Sequence, residues 1–185
     1  DNVDIPVIFE EQKSLPILNL QLIFKNSGYI KDNQNLGLAS LSARVLNEGT
    51  KKLGSVKFSE VLDDNAITIH SAVGFETLTI ELSSLKEKST LAMKSLDELL
   101  KSPNLSKNTL EKVKTLAIGS LKRKENDFDD VASKGLNALL YSGTALANPA
   151  GGTIESISKI ELKNIEQFLK NSLTLNNLTI VAGGD

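Results

Sequence analysis

Cysteine is missing altogether and histidine occurs once, at position 70. Without a thiol there are no disulfides and no thiolate metal site, and the composition fits an oxidising or a reducing compartment equally. Long apolar runs are also missing: none approaches the length that spans a bilayer, and no signal peptide opens the chain. Neither charge dominates. With 21 Lys and Arg against 23 Asp and Glu, scattered along the chain, there is no basic stripe for phosphates and no acidic tail, so nucleic acid is excluded as a partner class. No serine stands in a G-x-S-x-G elbow, and ANPAGGT (147–153) lacks the Gly-Lys-Ser/Thr ending of a phosphate loop.

What is present is a globular composition. An apolar share of 40% over 185 residues suffices to bury one sizeable core or two small ones. Ile5 to Phe9 is an apolar run and Ile17 to Phe24 (ILNLQLIF) alternates, with EEQKSLP supplying turn chemistry between them, which predicts two neighbouring strands. Asn33 or Asn35 is placed to cap a helix starting near Leu36, and Gly49 to end it. Val56, Phe58, Val61 and Leu62 predict a short amphipathic helix stopping at Asp63, Asp64 and Asn65. AITIHSAV (66–73) and FETLTIEL (75–82) alternate with period two around Gly74, a hairpin with Ile67, Ile69 and Ser71 on the face opposite Thr68 and His70.

Helical periodicity then takes over. Leu91, Met93, Leu96, Leu99 and Leu100 share one side of a helix over 90–100. Ser106 caps a second carrying Leu110, Val113, Leu116, Ala117 and Leu121, with Pro103 between the two. A third starts at Asp129 or Asp130 and carries Val131, Leu136, Leu139 and Leu140. SGTALANPAGGT (142–153) is loop, Leu162, Ile165, Phe168 and Leu169 form another helical stripe, and NLTIVAG (177–183) is a closing strand. Strands come in pairs separated by helical blocks, which predicts an α+β fold: a mixed, largely antiparallel sheet with helices packed on one face. No internal repeat is visible.

The segment GLASLSARVLNEGT (37–50), followed far downstream by GTIESI (152–157) and TIVAGGD (179–185), resembles the pitrilysin/insulinase family of zinc metallopeptidases, which includes the mitochondrial processing peptidase and its bacterial relatives. The likeness covers nearly the whole chain. The family's helix reads roughly G-[LI]-A-H-x-x-E-H-x-x-x-x-G-T, matched here at Gly37, Leu38, Ala39, Gly49 and Thr50. In H-x-x-E-H two histidines four apart reach one zinc ion while the glutamate handles the water's proton. Carried onto this chain, those positions are Ser40, Ala43 and Arg44. A serine hydroxyl is a poor zinc ligand, alanine accepts no proton, and a guanidinium repels a cation. The family's further glutamate ligand falls at or beside Ser120, in a stretch (116–121) without a carboxylate. The resemblance thus implies a degenerate member with no catalytic residue, no metal and no cofactor. Arg44 is expected to have turned structural, pairing with an acid or capping carbonyls where the metal was.

Other sites read more weakly. His70 lies in a period-two strand, where a polar residue on the less buried face is ordinary, and its nearest acids in sequence are Asp63, Asp64 and Glu76. Glu125, Asp127, Asp129 and Asp130 straddle a helix junction after KRK, which fits capping and solvation better than acid/base work, and GSLKRK (119–124) is a solvated helix end. The family likeness implies that residues 1–185 form one pitrilysin-like domain, the N-terminal half of a two-domain subunit. Its expected role is that of a non-catalytic member helping to form a peptide-binding chamber beside a zinc-bearing partner subunit. The rival readings are an autonomous hydrolase with a new site, using His70 or a serine, and a purely structural subunit. The opening DNVDIPVIFEE, without an initiator methionine, is what a trimmed precursor or an engineered product would have. Together with the lack of cysteine it leads to the expectation of a periplasmic or secreted bacterial protein, with a cytoplasmic one as the alternative.

Overall fold

The two longest strands set the frame. β2 (Ile17–Lys25) and β4 (Thr77–Leu85) pair antiparallel over their whole length, from Ile17 opposite Leu85 to Lys25 opposite Thr77. β3 (Thr68–Val73) folds back on β4 as the hairpin the alternation predicts, with Val73 opposite Leu78. The computed structural model describes residues 3–32 and 35–185; Asn33, one of the two proposed helix caps, lies outside them.

The expected adjacency of the first two strands is corrected by the sheet order β1-β5-β2-β4-β3. The closing strand β5 (Leu178–Gly184) runs parallel to β1 (Val7–Glu11) and antiparallel to β2, so it separates them. A short link between two strands does not decide whether a third enters. Glycine makes the entry possible: Gly184, at φ 135°, stands where a Cβ would lie 2.0 Å from the Ile17 carbonyl oxygen.

One face of the sheet is dry. Along β4, Leu78, Ile80, Leu82 and Ser84 are buried while Glu81 and Leu85 are exposed, the pattern of a sheet covered on one side. Among the described residues seven α-helices are present: α1 (Leu38–Leu46), α2 (Gly54–Asp63), α3 (Ser89–Lys101), α4 (Lys107–Lys124), α5 (Phe128–Leu140), α6 (Ile154–Lys159) and α7 (Leu162–Ser172). The core holds Leu41, Val45 and Leu46 of α1, Ala92, Leu96 and Leu99 of α3, Leu110 and Val113 of α4, and Ile165 and Phe168 of α7, together with the inward row of β4. Each such Leu or Ile is worth about 1.5–3 kcal/mol when fully buried.

Local chemistry explains several helix starts. The Ser106 side chain accepts from Thr109 N–H at 3.1 Å, and Asp127 accepts from the N–H groups of Asp129 and Asp130. α5 therefore begins at Phe128, one or two residues before the expected Asp129 or Asp130. Its apolar residues do not join the core: Phe128 is 88% exposed and Leu139 80%, with Val131, Leu136 and Leu140 also exposed. Val56, Met93 and Leu116, predicted to face inward, are likewise exposed. α6 sits where a loop ends and a single turn and a half carries too few apolar positions to show a period.

Candidate functional site

α1 holds the first three positions of interest, and its start is built differently from the sequence expectation. The helix begins at Leu38 after Gly37, whose φ of 88° suits glycine, and Asn35 contributes only a carbonyl, to Leu38 N–H. The capping acceptor is Asp32. Its two carboxylate oxygens accept from Gly37 N–H at 2.7 Å and Ala39 N–H at 2.8 Å. Burial pushes the Asp32 carboxyl up to about 6, against the two amide bonds that pull it down.

Behind α1 lies the segment 151–157, which resembles the family's second string, and the contact between the two is backbone to backbone. A Cβ on Gly37 would lie 2.9 Å from the Gly151 carbonyl oxygen, and one on Gly152 only 2.4 Å from the Leu36 carbonyl oxygen. Ser156 Oγ donates to Leu36 O at 2.7 Å, accepts from Thr153 N–H at 2.9 Å, and its own N–H reaches Thr153 Oγ1 at 3.0 Å, closing a capping box at the start of α6. Gly152, Thr153 and Ser156 of GTIESI thus clamp the loop that leads into α1. The sequence signal was legible as Thr-x-x-Ser, weakened because serine stands where Glu or Gln usually does.

Ser40 and Arg44, four apart on α1, meet Ser120 of α4 on the wall of one cavity of about 90 Å³, which Lys124 and Gly151 also line. Ala43 does not reach it and is buried in the core. Ser40 Oγ donates to the Ala150 carbonyl at 2.6 Å. The expected pairing of Arg44 with an acid is corrected: it is exposed, and among the described residues it makes no ion pair. Its position in the last turn of α1 lets it interact with the helix dipole from solvent, so nothing forces it to find an acid. The lining therefore offers hydroxyls and two cations, a set that repels Zn²⁺ and does not fit it. Among the described residues no three His, Asp or Glu side chains cluster closely enough to hold a metal ion.

A larger groove, about 450 Å³, adjoins this cavity through Leu121, Lys124 and Gly151 and runs along α5 and the 146–152 loop. In it Asp130 bridges Lys124 at 3.1 Å and Lys134, whose hydrogen bonds hold its carboxyl below the usual range. Asp127 is thus a cap, as expected of the junction acids, whereas Asp130 is an ion-pair partner of two lysines where solvation was expected.

His70 lies elsewhere. It is exposed on the open face of β3, directly opposite Glu81, which in turn accepts from Gln21 Nε2 at 3.2 Å. Glu76 sits in the hairpin turn and Asp63 ends α2, so the structure does not bring them into a site with it. Missed from sequence was Asn47, just after α1. Its Nδ2 donates to Ser71 O at 2.9 Å and its Oδ1 accepts from Ser71 N–H at 2.7 Å, filling both backbone groups of that residue on the outer edge of β3. No spacing rule links positions 47 and 71.

Comparison with known proteins places this geometry. The sequence model described as Insulinase (Peptidase family M16) matches residues 7–154. A Helicobacter pylori protein described as Non-peptidase homolog YmxG is 46% identical over 181 residues, covering 98% of this chain and 42% of that protein. A crystal structure of a peptidase M16 inactive domain from Pseudomonas fluorescens superposes with a TM-score of 0.91 at 24% identity, over 97% of this chain and 44% of the other. The first half of the periplasmic protease PqqL from Escherichia coli superposes at 0.83 and 16% identity, over 97% and 40%. These last two are likenesses of fold. The chain spans less than half the length of each of these relatives. The match over residues 7–154 shows that the chain belongs to the insulinase family, Peptidase family M16.

Proposed function

We propose that this chain is the N-terminal half of a two-domain, non-catalytic subunit that helps to form a peptide-binding chamber beside a zinc-bearing member of the same family. The observation that carries the reading is the cavity at Ser40, Arg44 and Ser120: the surrounding frame is kept to the level of backbone contacts at Gly37 and Gly152, while the side chains facing the cavity repel a metal. A frame kept without its chemistry fits a shape still in use. The length of the relatives supports a second domain. Unburied apolar surface supports assembly: Val7, Ile8 and Phe9 of β1 are each 60% exposed or more, and α5 turns its apolar residues to water. Peptides would add to a free sheet edge, where main-chain hydrogen bonds give affinity and side-chain pockets give selectivity. On β3 Asn47 already occupies Ser71, leaving the flanking residues of that edge for a peptide. Among the described residues no helix is long and apolar enough to cross a membrane. An exported, periplasmic setting is part of the proposal, supported by the likeness to a periplasmic protease.

The test is to mix the full-length subunit with a zinc-bearing homologue from the same source, follow association by sedimentation, and compare peptide cleavage with and without the subunit. Association with faster cleavage is expected. Independent sedimentation and an unchanged rate at micromolar concentrations would leave a purely structural role as the better account.

A further inference from the structure

The cavity between α1 and α4 has a cationic lining without a carboxylate. Arg44 and Lys124 line it, Lys134 stands in the adjoining groove, and Asp130 is the one carboxylate facing the pair of spaces, so three cations meet one anion. Asp130 is already shared by Lys124 and Lys134, which leaves the Arg44 guanidinium with no acid among the described residues. We infer that this cavity binds a peptide carboxylate, with the guanidinium of Arg44 as its principal partner and Lys124 as the second charge.

Size and chemistry converge on that ligand. The cavity, about 90 Å³, is large enough to take a carboxylate and opens into the larger groove beside it. A guanidinium presents parallel N–H donors in a fork that matches two carboxylate oxygens, a pairing shorter and stronger than a neutral hydrogen bond. The remainder of the peptide has a place to go: the adjoining groove of about 450 Å³ offers Ala138, Leu146 and Pro149 as apolar wall and Asn137 and Asn148 as amides. Ser40 is held by Ala150, so its hydroxyl fixes the wall and leaves the guanidinium to meet the ligand. The carboxylate could be the C-terminal group of a peptide or the side chain of Asp or Glu, and the two share this chemistry. The inference draws on the chamber reading for the peptide alone and requires no partner subunit.

The test uses the purified full-length protein by itself and a fluorescent apolar tetrapeptide in four forms: free acid, C-terminal amide, amide with an internal Glu, and amide with the matching Gln. Anisotropy is read at low and high salt. Expected is binding of the free acid, or of the Glu form if the side chain is the source, about tenfold tighter than of the corresponding neutral peptide and weakened by salt. Arg44→Gln should remove that preference while leaving the protein folded, with the thermal midpoint lowered by no more than the loss of one exposed helix-end cation allows. Equal binding of all four peptides, a preference that survives Arg44→Gln, or no binding at all overturns the inference. Because no partner is added, these outcomes are independent of whether the two subunits associate.

Discussion

Asp32 carries opposed demands within one side chain. It is buried, which favours its protonated form, yet it accepts two amide hydrogen bonds at the start of α1, which favour the carboxylate, and burial prevails. Since its carboxyl rises from 3.8 to about 6 on folding, the contribution to stability is fully present below about pH 4 and is lost as pH rises through about 6. Asn at this position has no proton to exchange. The thermal midpoint of the protein relative to Asp32→Asn should therefore fall between about pH 4 and pH 6 and stay level above. A difference that grows with pH across that interval contradicts the assignment. Asp32 escaped the sequence reading because it stands five residues ahead of Gly37, outside the spacing at which a side chain ordinarily caps a helix. Ser106 and Asp127, at the ordinary spacing, were legible or nearly so.

Among elements, legibility followed the number of residues that repeat a pattern. The hairpin of β3 and β4 showed its alternation over eight residues each, and α3, α4 and α7 showed a helical stripe, so each element was read as the right type, with Met93 and Leu116 wrongly placed inward. α5 shows why a stripe is only half a statement: periodicity says that apolar residues share a side, not that the domain itself covers that side, and here they face water. The order of strands was hidden for a different reason. β5 enters between β1 and β2 through a long-range close approach at Gly184, which no local signal announces. α6 was too short for a period, but its capping box binds it to the loop before α1. Ser156→Ala removes the bonds to Leu36 O and Thr153 N–H and should cost about 1–2 kcal/mol, lowering the denaturant midpoint and speeding amide exchange at the start of α1. An unchanged midpoint and exchange would mean that GTIESI does not hold α1 in place.

For the whole molecule, the sheet and helices supply what the family fold requires, while the cavity facing Ser120 supplies hydroxyls and cations. The family likeness in sequence pointed to Ser40, Ala43, Arg44 and Ser120; the structure gathers three of them on one wall and adds Lys124, which lies one helical turn past Ser120 and carries no motif signal. The same fold carried by a solved inactive domain and by half of a protease means that fold alone does not separate the two kinds of member. On the function proposed above, the side chains at the cavity do. The measurement that bears most directly on this is zinc content: the purified protein, dialysed against trace zinc, is analysed for bound metal beside Ser40→Ala and Ser120→Ala. Zinc far below one ion per chain, and equal in all three proteins, is predicted; about one zinc per chain that either substitution reduces would contradict the account.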